Sequence, residues 1–304
     1  MFVEQGVTSE NKFWKYIIGS FLIITVSFIG QIPLLLGVFY QVFFNKVKYP
    51  SGNEELMHFF DSNVTLVLIL IPSVLTLFGI FYVVRHLHQQ TLLSVTTSRL
   101  KMDWKRIFFS FSIWSFFIVL TTLSDYYLNP SDYVFNFKPI PFILLIVIGT
   151  LLIPFQTSVE EYVFRGYLMQ GFANLAKNKW FPLMMTSIIF GMMHVFNPEV
   201  SKLGNIIFVY YIGTGLFLGI LTLMDEGMEL ALGFHAANNL ISALLITADW
   251  SAFQTHSIFK DISIPDAGFD IIFPIFVIYP MLLFIFSRKY QWVDWKEKLT
   301  GKIH

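Results

Sequence analysis

The chain has 304 residues, of which 55% are hydrophobic and 18% aromatic, while only 13% are charged. An ordinary soluble domain carries about 25% charged residues, so this composition excludes a typical soluble protein. The formal net charge is zero and no dense basic tract occurs, which argues against nucleic acid as a partner. The lack of cysteine excludes disulfides, thiol catalysis and thiolate metal ligands.

Apolar runs long enough to cross a lipid bilayer recur along the chain. A helix that crosses about 30 Å of hydrocarbon needs roughly 20 mostly apolar residues. Breaks of Pro, Gly, Asn and charge separate these runs, which predicts an all-α polytopic membrane protein with about eight transmembrane helices. The runs are Phe13 to Phe44, Val64 to Val84, Ile107 to Leu123, Pro139 to Leu175, Phe181 to Phe196, Ile206 to Met224, Glu229 to Ile246 and Ile271 to Phe286.

We expect residues 1–304 to form a single integral membrane domain. The fourth run is too long for one straight crossing at about 1.5 Å per residue, so we expect a kink at Pro154 or an end that projects from the bilayer. Lys and Arg in short connections mark the cytoplasmic side, which predicts that both termini are cytoplasmic. We expect the bacterial inner (cell) membrane. The marking residues are Arg85, Arg99, Lys101, Lys105, Arg106, Arg165, Lys177, Lys179, Arg288, Lys289, Lys296 and Lys298.

The first of three polar groups within apolar runs contains Glu160, Glu161 and Arg165. An ionisable side chain inside a bilayer costs at least about 2.5 kcal/mol, so each one needs a reason. Glu161 and Arg165 stand four apart and pair on one helix face, while Glu160 points about 100° away. One carboxylate is therefore predicted to be structural and the other free for chemistry. The alternative is a helix end that leaves the membrane with solvated charges.

The second and third groups contain histidines. His194 follows Phe190 by four residues, and a hairpin with the preceding helix puts it level with Glu160. His235 and Asn239, again four apart, share one face of a later helix. Each group alone also fits packing or hydrogen bonding between helices.

Taken together, these groups supply the parts for hydrolysis of an amide. A carboxylate deprotonates a water that an imidazole holds, while a second imidazole and a side-chain amide donate to the developing oxyanion. A Glu and two His also make a known zinc-ligand set, so zinc bound by Glu160, His194 and His235 is an alternative. No cofactor is assigned.

The motifs Glu-Glu-x-x-x-Arg, Phe-x-x-x-His and His-x-x-x-Asn, in this order on successive apolar helices, resemble the CAAX prenyl protease and bacteriocin-processing (CPBP, or Abi) family. The resemblance covers residues 158–239, which we expect to be the catalytic core. It implies an intramembrane endopeptidase whose peptide or protein substrate enters from the membrane or the cytoplasmic side.

The resemblance also implies a role for each motif residue. By position, Glu160 matches the general base and His194 its water-binding partner. His235 and Asn239 match the oxyanion donors. The supporting residues are Glu161, Arg165 and Phe190.

The position of His194 raises a geometric problem. Simple full crossings would put His194 and His235 at opposite membrane faces. They meet only if the stretch from Phe196 to Ile207 dips into the protein as non-helical backbone, which is allowed where it is buried or lines a cavity. We predict this dip, and we predict that His235 lies within about 10 Å of Glu160.

Two other classes of function fit the same composition. A transporter places similar residues in its helices, although it usually carries inverted repeats, and the sequence has no clear one. A membrane immunity or scaffold protein of the same fold would bind a peptide without cutting it. Gly215 and Gly219 predict close helix packing, either within one chain or between chains.

Overall fold

The computed structural model describes residues 1–8, 10–266 and 268–303, and most of these residues are helical. Helices α1 to α14 are, in order, Phe13–Gly30, Ile32–Phe43, Asn53–Met57, Ser62–Tyr82, Trp104–Leu128, Pro139–Glu161, Met169–Ala176, Trp180–Met192, Pro198–Leu203, Ile207–Asp225, Glu229–Leu245, Phe269–Phe273, Tyr279–Tyr290 and Trp295–Thr300. One small sheet has the strand order β1-β3-β2, with β3 antiparallel to β1 and parallel to β2. Its strands are β1 (Tyr133–Phe135), β2 (Ile246–Ala248) and β3 (Phe259–Asp261).

Six helical runs within the described residues are long and apolar enough to cross a membrane, which confirms the predicted all-α polytopic membrane protein. Helices α8 and α11 have 13 and 17 residues and fall below that length, so the predicted number of about eight is approximate. The six runs are Phe13–Phe43, Ser62–Leu87, Trp104–Leu128, Pro139–Ala176, Pro198–Asp225 and Ile271–Tyr290.

The fourth run is helical without interruption over 38 residues, Pro139–Ala176. Helix α6 contains Pro154 and continues beyond it to Glu161. The helix geometry changes further on, because Tyr162–Leu168 is π-helical and joins α6 to α7. Short π-helical turns occur often at functional sites. Glu160 and Glu161 are the last two residues of α6, directly before this turn.

Helix α11 is buried on nearly all sides and lies at the centre of the bundle. Gly233 allows α5 to approach it closely, because a Cβ at this position would lie 2.1 Å from the carbonyl oxygen of Ile107. On the same side, the ring of Trp114 stacks on that of Phe234 with 4.5 Å between centroids. This packing holds the next residue, His235, in the interior.

The two ends of the bundle differ in what they carry. Both termini and the connections α4–α5, α7–α8 and α10–α11 meet at one end, where the Phe2 amide donates to Glu226 Oε2 (2.6 Å) and the Lys179 amide to the Gly301 carbonyl (3.1 Å). We call this the terminal end, residues 1–8, 10–12, 88–103, 177–179, 226–228 and 291–303. The opposite sheet end contains residues 44–61, 129–138 and 246–266.

The chain between α8 and α10 explains how His194 and His235 meet. Helix α8 spans only about 20 Å at 1.5 Å per residue, so it ends part-way along the bundle. Helix α9 and a 3₁₀ turn at Gly204–Ile206 follow, and α10 then returns to the terminal end. The predicted non-helical backbone from Phe196 to Ile207 is therefore wrong, because most of this stretch is helical.

Candidate active site

A cavity of about 980 Å³ extends from the sheet end into the bundle. Its inner part is lined by four of the predicted residues, namely Glu160, His194, His235 and Asn239. Phe190 lines it as well. The two remaining predicted residues are fully buried beside the cavity; they are Glu161 and Arg165. The structure thus brings the residues of all three sequence motifs to one place.

The predicted pair of Glu161 and Arg165 is present, with Nη1 of the arginine 3.2 Å from Oε1 of the glutamate. Arg165 Nη2 also donates to the carbonyl of Gly215 at 3.2 Å. A Cβ at Gly215 would lie 2.9 Å from the Ser187 carbonyl, so the glycine lets α8 and α10 pack closely within one chain. Two polar atoms of the pair, Glu161 Oε2 and Arg165 Nε, have no partner in the described part of the chain.

Phe190 connects the helices of the site through its aromatic ring. The Arg165 guanidinium lies over this ring, 4.3 Å from its centroid, and gains a cation–π contact inside a buried environment. The rings of His194 and His235 lie 4.9 and 6.1 Å from the same ring. Phe190 therefore sets the spacing between the two imidazoles.

The hydrogen bond of His194 determines which ring nitrogen faces the cavity as an acceptor. Its Nδ1 lies 2.8 Å from the carbonyl oxygen of Phe190, four residues earlier. A carbonyl only accepts, so Nδ1 carries the hydrogen and Nε2 of the neutral ring is an acceptor. The ring is held in place by stacking on Tyr211 at 4.3 Å. The Phe-x-x-x-His spacing therefore fixes the ring of His194 through the Phe190 carbonyl and leaves Nε2 as an acceptor.

His235 lies between the two adjacent carboxylates. Its Nδ1 is 2.7 Å from Glu161 Oε1, and its Nε2 is 3.6 Å from Glu160 Oε2. Glu161 Oε1 therefore lies within hydrogen-bond distance of both Arg165 Nη1 (3.2 Å) and His235 Nδ1 (2.7 Å). No hydrogen bond in the described chain joins Glu160 directly to His194, although both line the cavity.

A chain of hydrogen bonds that the sequence motifs do not contain ends on Glu160. Trp114 Nε1 donates to Asn238 Oδ1 (3.1 Å), and Asn238 Nδ2 donates to Asn239 Oδ1 (3.1 Å). Asn239 Nδ2 donates to Gln156 Oε1 (3.0 Å), and Gln156 Nε2 donates to Glu160 Oε1. We call this the amide relay.

The two ends of the amide relay fix its direction. An indole N–H only donates and a carboxylate only accepts, so every amide between them presents its N–H toward Glu160. The relay therefore holds Oε1 of Glu160 in a fixed position. Sequence reasoning missed Gln156, although a glutamine one helical turn before Glu160 in an apolar run is a recognisable signal.

The alternative zinc set does not fit the donor geometry. Within the described residues, no three or more His, Asp or Glu side chains are arranged to hold a metal ion. In both rings Nδ1 is engaged, in His194 by the Phe190 carbonyl and in His235 by Glu161, so Nε2 is the nitrogen left for a ligand.

The fold and the cavity define a class of protein, a polytopic helical membrane protein with buried acid, base and amide groups at an internal cavity. Residues 138–241 match the family described as type II CAAX prenyl endopeptidase Rce1-like, which confirms the predicted resemblance. The matched segment contains the predicted core at residues 158–239. The match to this family supports a membrane protease of CAAX type.

One similar protein comes from Bacillus subtilis (strain 168). The relative, uncharacterized protein YyaK, is 28% identical over 244 residues, which is 80% of this chain and 81% of the relative. No solved structure matches the chain. The similarity to this relative therefore extends well beyond residues 138–241.

Proposed function

We propose that this protein is an intramembrane endopeptidase that cleaves a peptide bond with a water activated by Glu160. The observation that carries this proposal is the setting of the Glu160 carboxylate. Its side chain is 26% exposed and lines the cavity, its Oε1 is held by the amide relay, and its Oε2 lies beside the imidazole of His235. It is thus both positioned and accessible, as a general base must be.

In the proposed reaction, a water between Glu160 and His194 donates one hydrogen to each. Glu160 takes the first proton while the water oxygen bonds to the carbonyl carbon of the peptide. His194 Nε2 accepts a hydrogen bond from the second hydrogen, which orients the oxygen lone pair. The C–N bond then breaks, and Glu160 passes its proton to the leaving amine.

The oxyanion that forms needs donors on the other side of the carbonyl. His235 Nε2–H in the protonated ring is one donor, because Nδ1 already bonds to Glu161. Asn239 is the second, since its amide carries one N–H for Gln156 and another that is free to donate. Glu161, Arg165 and Phe190 support these groups by fixing His235.

We further propose that residues 1–304 form one domain in the bacterial inner (cell) membrane with both termini in the cytoplasm. The asymmetry of Lys and Arg between the two ends of the bundle supports this orientation. The central packing of α11 against α5, α6 and α10 supports a single domain around residues 158–239.

The test is cleavage of a quenched peptide library by detergent-purified wild type and by Glu160→Gln, each with and without a chelator. Glu55→Gln is the matched control, because it makes the same change from carboxylate to amide at an exposed residue of α3. We expect cleavage by wild type and Glu55→Gln, cleavage about 10²- to 10⁴-fold slower by Glu160→Gln, and no effect of the chelator. Activity that the chelator removes and zinc restores would contradict the mechanism. No cleavage by any protein would favour the scaffold class.

A further inference from the structure

The cavity opens at the sheet end of the bundle. Its deep part reaches Glu160 and His235, while its outer part is lined by the exposed residues Asn129, Ile264 and Asp266. These belong to the connections α5–α6 and α11–α12. Among the described lining residues, none lies at the terminal end. A peptide therefore reaches Glu160 from the sheet end.

Positive charge is concentrated at the opposite end. Of the 20 Lys and Arg residues, fourteen lie in or next to the terminal end and four lie at the sheet end. The other two belong to neither end; they are Arg165, which is buried, and Lys202, which lies in α9. Short connections rich in Lys and Arg stay in the cytoplasm. The four at the sheet end are Lys46, Lys48, Lys138 and Lys260.

We infer that the mouth of the cavity faces away from the cytoplasm and that the substrate is a peptide segment exposed on the outer side of the membrane. The sequence alone predicted access from the membrane or the cytoplasmic side. The position of the mouth decides against the cytoplasmic route, because the bundle closes the terminal end. Translocation of the substrate across the membrane must then precede its cleavage.

The inference rests on the proposed function in calling the ligand a substrate, and on the proposed orientation in placing the mouth on the outer side. The direction in which the cavity opens is a property of the folded chain and is testable without any enzymatic activity. The absence of cysteine makes this test clean, because a single introduced cysteine is the only thiol in the protein.

The experiment labels three single-cysteine variants in intact cells with a membrane-impermeant methanethiosulfonate, before and after permeabilisation. Ser263→Cys lies at the mouth, and Ser242→Cys lies deeper in the cavity wall on α11. Thr300→Cys, exposed at the end of α14, is the matched control at the terminal end. Each variant is first shown to enter the membrane fraction with wild-type thermal stability.

We expect Ser263→Cys and, more slowly, Ser242→Cys to react in intact cells, and Thr300→Cys to react only after permeabilisation. The reverse pattern would overturn the orientation. Reaction at Ser263→Cys with no reaction at Ser242→Cys under any condition would overturn the continuous path. The expected labelling in a protein that cleaves no peptide would reject the proposed enzyme and keep the access route.

Discussion

Two buried charge clusters in this molecule differ in how completely their polar atoms are bonded. At the terminal end, both carboxylate oxygens of Asp225 receive donors, from Arg106, from Trp292 Nε1 (3.1 Å) and from Arg99 (3.1 Å). Glu229 is bonded on both oxygens as well, by Arg99 (3.0 Å) and by a backbone amide (3.3 Å). We call this cluster the terminal clamp, residues Arg99, Asp103, Arg106, Asp225 and Glu229.

The cluster at the floor of the cavity is less completely bonded. Glu161 Oε2 and Arg165 Nε have no partner in the described residues, and Glu160 keeps part of its carboxylate open to the cavity. A saturated cluster has little capacity left for a ligand, so the terminal clamp is structural. Polar groups that stay unpaired in a buried place are costly, and their retention indicates chemistry.

The largest expected effect separates the two adjacent glutamates of the cavity cluster. Glu160→Gln should lower the cleavage rate by about 10²- to 10⁴-fold, the range for loss of a general base. Its thermal stability should stay near that of wild type, because the amide has the same shape and the site is partly exposed. Peptide cleavage and thermal unfolding in detergent measure both. A destabilised Glu160→Gln would make this glutamate structural.

Arg165→Met should act on stability. It leaves Glu161 in the interior without its arginine, and breaking a buried pair on one side costs about 3–5 kcal/mol of unfolding free energy. Chemical unfolding measures this, with exposed Arg288→Met as the matched control. The double variant Glu161→Gln/Arg165→Met should recover part of the loss, because no unpaired charge is then buried. An unfolding free energy of Arg165→Met equal to that of wild type would refute the structural role of the Glu161–Arg165 pair.

A change in the terminal clamp should affect stability without affecting chemistry. Arg99→Ala removes charged hydrogen bonds to Asp225 and Glu229. A hydrogen bond to a charged group contributes about 1.5–3 kcal/mol to the free energy of unfolding. The remaining bonds of Asp225 moderate the cost. We expect a lower unfolding free energy with the cleavage rate of the folded protein preserved. Exposed Lys101→Ala is the control. A large loss of cleavage rate in the folded protein would contradict this expectation, because it would show that the terminal clamp contributes to catalysis.

Trp114→Phe tests the amide relay. The phenyl ring keeps the contact with Phe234, but the donor that fixes the direction of the relay is lost. If the lost hydrogen bond raises the activation free energy by about 1 kcal/mol, kcat falls roughly fivefold while KM is unchanged. Trp104→Phe, on an exposed tryptophan, is the control. An unchanged kcat would show that Glu160 is positioned without Trp114.

The smallest expected effect concerns His88, the residue after the second span. Like the carboxylates of the terminal clamp, it is fully bonded: one ring nitrogen contacts Asn11 (3.0 Å) and the other Tyr167 (2.9 Å). Burial, with a smaller effect of Lys15, lowers the pKa of His88 to about 4. The unfolded chain then binds the proton first as pH falls below about 6.5, so stability present above that pH decreases toward pH 4. Thermal unfolding at pH 7.5 and 5 measures this.

His88→Gln should reduce that loss of stability at low pH. The glutamine keeps hydrogen-bonding groups near Asn11 and Tyr167 but does not titrate. An unchanged pH dependence in His88→Gln would assign it to other groups.

Much of the architecture could be predicted from local features of the chain. Hydrophobic runs indicated the helices, since a bilayer-crossing segment must be long and apolar. Four-residue spacings placed Glu161 with Arg165, and His235 with Asn239, because residues i and i+4 are neighbours on one helix. The boundaries of α8 and the helical nature of α9 could not be read this way, because composition does not determine where an apolar helix stops part-way.

By itself, the sequence determined that the chain is a membrane protein of many helices, that three motifs carry its unusual polar residues, and which residues share a helix face. Only the tertiary structure decided that His235 lies between Glu160 and Glu161, that Trp114 and Gln156 join the site, and that the cavity opens at the sheet end. Helical periodicity is a local property of the chain. Contacts between α5, α6, α8 and α11 depend on how distant helices pack, and packing is settled by shape and by close approach at glycines such as Gly215 and Gly233.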